Sequence, residues 1–283
     1  MSPVKIAVKW KIWLYSNMSL FLLMSVVACS RVNNENLLQT ADGNLSPDHT
    51  LFTQVLSEHV KEGMVDYRAI KHDQRFETYI EMLRETDPFQ IRAEDYLSFW
   101  INVYNAFTIK IVCDNYPLES ITDLSTGGFI ISHVIKKTVW DKKYVELNGE
   151  KYTLNFIEHK IIRPLGDARI HFALVCAAKS CPPLRSQAYE TQSLDAQLNE
   201  QGQIFLSEPK KNRFDFEHNI VYLSKIFKWY GGDFKTNGQT VLEYISRFLP
   251  AEQAKYLKET MNNFKIKYTD YDWSLNEKNE LTF

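Results

Sequence analysis

The stretch EDYLSFWINVYNAFTIKIVCDNYP, residues 94–117, decides how the rest of the chain is read. It is apolar almost all round, so it predicts a central helix buried on every side rather than an amphipathic surface helix. Pro117 supplies its stop. Ser98, Asn102 and Asn105 fall at spacings of four and three and make a polar stripe along it. Inside an apolar helix, that stripe requires hydrogen-bond partners from whatever packs against it.

Working outward, Asp48 or Thr50 caps a helix to about Lys61, stopped by Glu62-Gly63, and Phe76–Arg84 forms a second amphipathic helix. Two short strands flank the Asn148-Gly149 turn, and Thr153 caps the helix LNFIEHKIIRPL. Arg169–Cys176 alternates like a strand, with Arg169, His171, Ala173 and Val175 on one face. A helix over Leu184–Leu198 follows, then a hairpin around His218-Asn219, a helix from Val241 and a last strand, FKIKYTDYDWSLN. In that strand Asp270 and Asp272 share one face, read as a solvated edge or, alternatively, as part of the site wall, while Tyr271 and Trp273 share the other. Helices lead and strands follow, which predicts an α+β fold with buried helices packed on an antiparallel sheet.

The N-terminus reads differently. Lys5, Lys9 and Lys11 precede a mostly apolar run, Ile12–Ala28, that is short for a membrane span and ends in Val26-Val27-Ala28-Cys29. This is a secretory pattern and resembles the lipoprotein type, with residues 1–28 as signal and Cys29 as the lipidated residue; the alternatives are an uncleaved N-terminal anchor or a coincidental cysteine after an ordinary signal. Residues 29–47 are polar and read as a flexible tether, leaving 48–283 as a single domain. The expected location is the bacterial cell envelope, anchored by lipid, at the outer membrane and facing the periplasm or the cell surface. Without residues 1–28 the net charge moves from −2 to −5, which argues against a nucleic-acid partner.

Chemistry concentrates in RIHFALVCAAKSCPPL, residues 169–184. With Cys29 lipidated, Cys113, Cys176 and Cys181 are an odd set, so at least one thiol is left over. Cys181 precedes Pro182-Pro183 and the expected helix, a place where the helix dipole lowers a thiol pKa. His171 is close enough in sequence to act as its base, with Glu158 as orienter. Alternatively His159 is the base and Glu158 pairs with Arg163 or Arg169. On a regular helix, Glu158 and His159 diverge by about 100° and do not face one site. A Cys176–Cys181 disulfide is a further alternative. His159, His171, Cys176 and Cys181 lack the spacing of zinc ligands, and neither a metal nor another cofactor is expected.

The motifs SFWINVYNAFTIKIVCDNYPLESI, TLNFIEHKIIRP, RIHFALVCAAKSCPPL, SKIFKWYGGDF and YTDYDWSLN together resemble the domain-of-unknown-function family 547, from about Phe52 to Asn276. The resemblance implies a papain-like cysteine-peptidase fold with permuted elements. It places family motif positions on Asn102, Asn105, Glu158, His159, Arg169, His171 and Cys181. Ala177-Ala178 departs from the small polar residues expected in the loop. The functional expectation is a thiol-dependent hydrolase or transferase acting on peptide or amide bonds. In it Cys181 is nucleophile, His171 base and Glu158 orienter, with Asn102, Asn105, His159 and Arg169 in binding. The alternatives are a non-catalytic module that binds a small peptide or thiol ligand, and a structural envelope protein.

Overall fold

A computed structural model describes residues 43–126 and 138–278. Residues 1–28, Cys29 and most of the tether lie outside the described residues. Helix α1 spans Thr50–His59, α2 Gln74–Glu85 and α3 Tyr96–Asn115. Sixteen of the twenty residues of α3 are buried, so it has no solvent face. Its apolar sides receive α1 and α2, joined by the stacked rings of Phe52 and Tyr79, 4.8 Å between centroids.

The polar stripe of α3 meets backbone. Asn102 donates to the Tyr189 carbonyl (2.8 Å) and accepts from the Tyr189 N–H (2.9 Å). Asn105 donates to the Ala173 carbonyl and accepts from the Val175 N–H, both at 3.0 Å. Each amide thus satisfies two backbone groups that no helix or strand serves, as buried polar groups require.

Those clamps explain where local patterning misleads. The run Arg169–Cys176 is not a strand: Ile170–Ala173 is one helical turn, α5, and the chain then extends past Asn105. Asp167 accepts from the Arg169 N–H and sets up the turn, while Asn105 replaces a neighbouring strand. The helix expected from Leu184 begins only at Leu194 and runs to Ser207 as α6. Residues 184–190 are instead held by Asn102 at Tyr189, by Thr53 at the Ala188 N–H and by Gln197 at the Ala188 carbonyl.

The fold is α+β, with small sheets. Strands β1 (Val60–Lys61) and β2 (Met64–Val65) form one hairpin; β3 (Val145–Leu147) and β4 (Glu150–Tyr152) form another. The second turns at Asn148-Gly149, where both residues take positive φ, as a two-residue turn of this twist demands. Thr153 caps α4, Leu154–Phe156, which continues as a π turn over Ile157–Ile162. Strands β5 (Arg213–Asp215) and β6 (Ile220–Leu223) pair antiparallel. Strand β7 (Lys265–Tyr268) pairs with β6 in parallel, after a crossover containing α7 (Ile226–Trp229), α8 (Val241–Ser246) and α9 (Ala251–Thr260). A second core gathers Phe172, Phe205, Phe227, Phe234 and Phe248; α5 contributes Phe172 to it and Ile170 and Ala173 to the first.

Beyond β7 the chain leaves the sheet and becomes a strap. Ser274 and Asp272 accept through their carbonyls from the Lys179 and Ser180 N–H groups, and the Asn276 N–H donates to the Ala177 carbonyl. Asn276 also holds the Tyr67 hydroxyl, the Gly63 carbonyl and, through its own carbonyl, the Val65 N–H. A Cβ on Gly63, at φ +76, would stand 2.4 Å from Pro183, so only glycine lets the β1–β2 turn approach the segment after Cys181.

His49, 4% exposed, sits beside α1 with Nδ1 2.8 Å from the Tyr79 hydroxyl, and burial lowers its pKa to about 4. The unfolded chain takes up that proton near the ordinary histidine value of about 6.5, so burying neutral His49 stabilises fully above that pH and its contribution is lost as pH falls towards about 4. The loss is at most on the order of 3 kcal/mol. Denaturant midpoints measured across this window should fall steeply for the native chain and less steeply for His49→Gln. Parallel curves would show that His49 does not carry the acid limb.

Candidate active site

A cleft of about 820 Å³ opens between the π turn, the disulfide loop, α7 and the strap. The π turn fixes its polar floor. With the Arg163 N–H donating to the Glu158 carbonyl, five residues back, the wider turn brings Glu158, His159 and Arg163 all onto the cleft. The regular-helix argument that Glu158 and His159 cannot face one site therefore fails.

Glu158 is the buried member, its side chain 8% exposed. The Tyr104 hydroxyl donates to Oε2 (3.3 Å), whereas Oε1 has no hydrogen-bond partner. Burial, followed by the Glu158 charge, raises the phenols of both Tyr104 and Tyr230. His159 is at the rim, with Nδ1 2.9 Å from Arg163 Nη1 and 3.8 Å from Glu158 Oε1.

His171 is buried on α5, and its partner is Asp233, not Glu158. Nε2 lies 2.7 Å from Asp233 Oδ2, and the ring stacks on Tyr230 at 3.9 Å between centroids. Arg163 grips the same carboxylate through Nε and Nη2, both at 2.7 Å. The Arg163 bonds hold Asp233 down at about 2, with His171 adding to the effect. Burial lowers the His171 pKa, outweighing the upward pull of Asp233.

Cys181 is bonded to Cys176, with Cα atoms 6.1 Å apart. It lies in an irregular loop, not at a helix N-terminus, and in this oxidised state it is not a free nucleophile. Two donors reach its sulfur: the Cys176 N–H (2.9 Å) and the Tyr271 hydroxyl (3.3 Å). The same hydroxyl lies 3.2 Å from the Cys176 sulfur. Between the cysteines, Ala177 adopts φ +59, an unusual conformation for a residue with a Cβ. Among the described residues the free thiol is Cys113, pushed up to about 12 by its burial, so it is inert.

Aromatic rings build the walls. Trp229, Tyr271 and Trp273 pack at 4.6–6.0 Å between centroids, and Trp140 joins Trp273 at 5.7 Å. Asp270 and Asp272 point away to solvent, while Tyr271 and Trp273 face the cleft. Asn102 and Asn105 are spent on backbone and do not line the cleft. Arg169 pairs with Asp167 and Asp195 outside it. Sequence reasoning missed Arg163 and Asp233 as a pair, Tyr104, Tyr230 and Tyr271; Tyr230 and Asp233 sit in the motif SKIFKWYGGDF, where their pattern carried the signal. Among the described residues, the grouping with metal-ligand proximity is Glu58, His59 and Asp73, which does not line the cleft and whose two carboxylates pair with Arg75.

Residues 89–206 match the profile of the family described as protein of unknown function, DUF547. The match covers 118 of the 283 residues. No curated protein and no solved structure matches the chain. The DUF547 segment supplies α3, the π turn, His171 and both cysteines of the cleft, while Asp233, Tyr271 and the tryptophans Trp229 and Trp273 come from residues beyond it.

Asn105→Ala would leave the Ala173 carbonyl and Val175 N–H buried without partners. At about 1–3 kcal/mol per orphaned group, chemical denaturation should show a loss of about 2–6 kcal/mol. A change within about 0.5 kcal/mol would mean that the clamp is replaceable by water.

Proposed function

We propose that the cleft is the site of a thiol-dependent hydrolase or transferase acting on peptide or amide bonds, with the Cys176–Cys181 disulfide as its resting form. The observation that carries the proposal is the pair of donors on the Cys181 sulfur, the Cys176 N–H and the Tyr271 hydroxyl. Hydrogen bonds to a charged form favour it, so both lower the pKa of Cys181 once it is reduced.

The chemistry runs in two stages. An external thiolate attacks the sulfur of Cys176, the more exposed of the two, and the electron pair of the broken bond passes to Cys181. A second external thiolate then attacks the sulfur of the first and expels Cys176, leaving a dithiol and one external disulfide. His171, oriented through Nε2 by Asp233, takes the proton of Cys181; the thiolate attacks the carbonyl carbon of the bound amide, the imidazolium gives that proton to the leaving amine, and water or an acceptor amine then takes the acyl group from the sulfur. Asp233 takes the orienting role first expected of Glu158. The second reading, a module that binds without turnover, is favoured by one observation, the unpartnered, buried Oε1 of Glu158, a residue that lines a cleft with aromatic walls.

After mild reduction, an alkylating probe should label Cys181 near neutral pH well before Cys113. Tyr271→Phe should move the Cys181 labelling profile to higher pH, and His171→Ala should slow it. A reduced Cys181 that titrates like an ordinary thiol, near about 8.5, in all three proteins would sink the proposal.

We further propose that the protein is an envelope lipoprotein held by a lipidated Cys29, on the strength of the signal-like run 12–28 before that cysteine. Among the described residues no helix is long and apolar enough to cross a membrane. Cys29→Ser should shift the protein from the detergent phase to the aqueous phase while leaving its circular dichroism unchanged. Continued partitioning with detergent would assign the anchoring to the apolar segment itself.

A further inference from the structure

Glu158 is a buried carboxylate whose one ionisable cationic partner among the described residues is His159, 3.8 Å away. Among the described residues, four buried side-chain polar atoms lack a partner, and Glu158 Oε1 is the carboxylate oxygen in that set. Leaving a buried anion half-satisfied is costly, and native structures seldom do so without cause. The nearest cations are otherwise engaged. The guanidinium of Arg163 is held in a two-point pair by Asp233, and its Nη1 meets His159. His159 itself stops 3.8 Å short of Oε1 and is a cation only when protonated. Among the described residues, no lysine lines the cleft.

The missing partner has a definite chemistry. Oε1 is an acceptor, so its complement carries N–H or O–H donors, and its charge favours a donor that is positive. The walls add a second requirement. Trp140, Trp229, Tyr271 and Trp273 present a continuous aromatic surface that suits an apolar body and attracts a cation at its ring faces.

We infer that the cleft binds a primary ammonium group, with Glu158 Oε1 as its acceptor, on a ligand whose apolar part lies along the Trp140–Trp229–Tyr271–Trp273 wall. A quaternary ammonium would satisfy the rings but has no N–H to give Oε1. A neutral alcohol would give the hydrogen bond without the charge. This separates the binding role of Glu158 from the role of Cys181. The inference rests on the cleft being a ligand site, and not on the thiol chemistry.

The test uses the full chain with its disulfide intact. Phenethylamine, 2-phenylethanol and trimethyl(2-phenylethyl)ammonium are titrated in turn, with binding read from tryptophan fluorescence and checked by calorimetry. A charge-assisted hydrogen bond at a buried site corresponds to roughly 10–100-fold in affinity, so the primary amine should bind tighter than both other probes by about that factor. Glu158→Gln should abolish that preference while leaving the residual binding of the alcohol. If this variant does not fold, the comparison of three probes on the native chain decides alone. Equal affinity for amine and alcohol, tightest binding of the quaternary ion, or no binding of any probe would overturn the inference. Because Cys181 stays oxidised throughout, such a failure leaves the thiol proposal standing, and failure of the labelling test leaves this one standing.

Discussion

The architecture depends on a buried helix whose two asparagines hydrogen-bond to backbone rather than to ligand. A helix as enclosed as Tyr96–Asn115 leaves no room for unpaired amides, and the chain segments that satisfy them have to pass at fixed places. Asn102 fixes Tyr189 and Asn105 fixes Ala173 and Val175. The second clamp stands just before Cys176, so the position of the disulfide loop follows from the demands of the core. The family resemblance had put these asparagines in a binding role; their contribution to the cleft is instead to place its walls.

Charge in the cleft is arranged in two separate settings. Asp233 is compensated, gripped by Arg163 and touching His171, which makes the imidazole a rigidly held group in a neutralised environment. Glu158 is buried among phenols without that compensation. Two carboxylates in such unlike surroundings are suited to unlike tasks, one orienting a base and the other meeting a ligand. The π turn makes the arrangement feasible, since a regular helix would turn Glu158 or His159 away.

Local signals were legible wherever they were self-contained. The apolar run closed by Pro117, the Asn148-Gly149 turn and the Thr153 cap each specify an element by themselves, and each is found. The segment Arg169–Cys176 misled because its alternation fits a strand, while its conformation is set by Asn105, some seventy residues earlier. The π turn leaves no mark in hydrophobic period. Asp233 lies 62 residues beyond His171, so no spacing rule links them, although the motif containing it was recognised. Cys176 and Cys181 were legible as a pair with two fates, disulfide or free thiol, and their bonding is decided by the loop geometry that the strap imposes.

That strap has a consequence for the order in which the chain is made. Residues 272–276 pair with the loop between the two cysteines, and Tyr271 reaches both sulfurs. Asn276 ties the same segment to the hairpin near residue 63. A growing chain therefore has every polar group of the cleft floor long before it has a cleft. Asp233 arrives about sixty residues after His171, and the sulfurs wait about ninety residues for Tyr271. The site is a late product of synthesis, closed by nearly the last described residues, and the two cysteines spend that interval without the hydroxyl that later attends them.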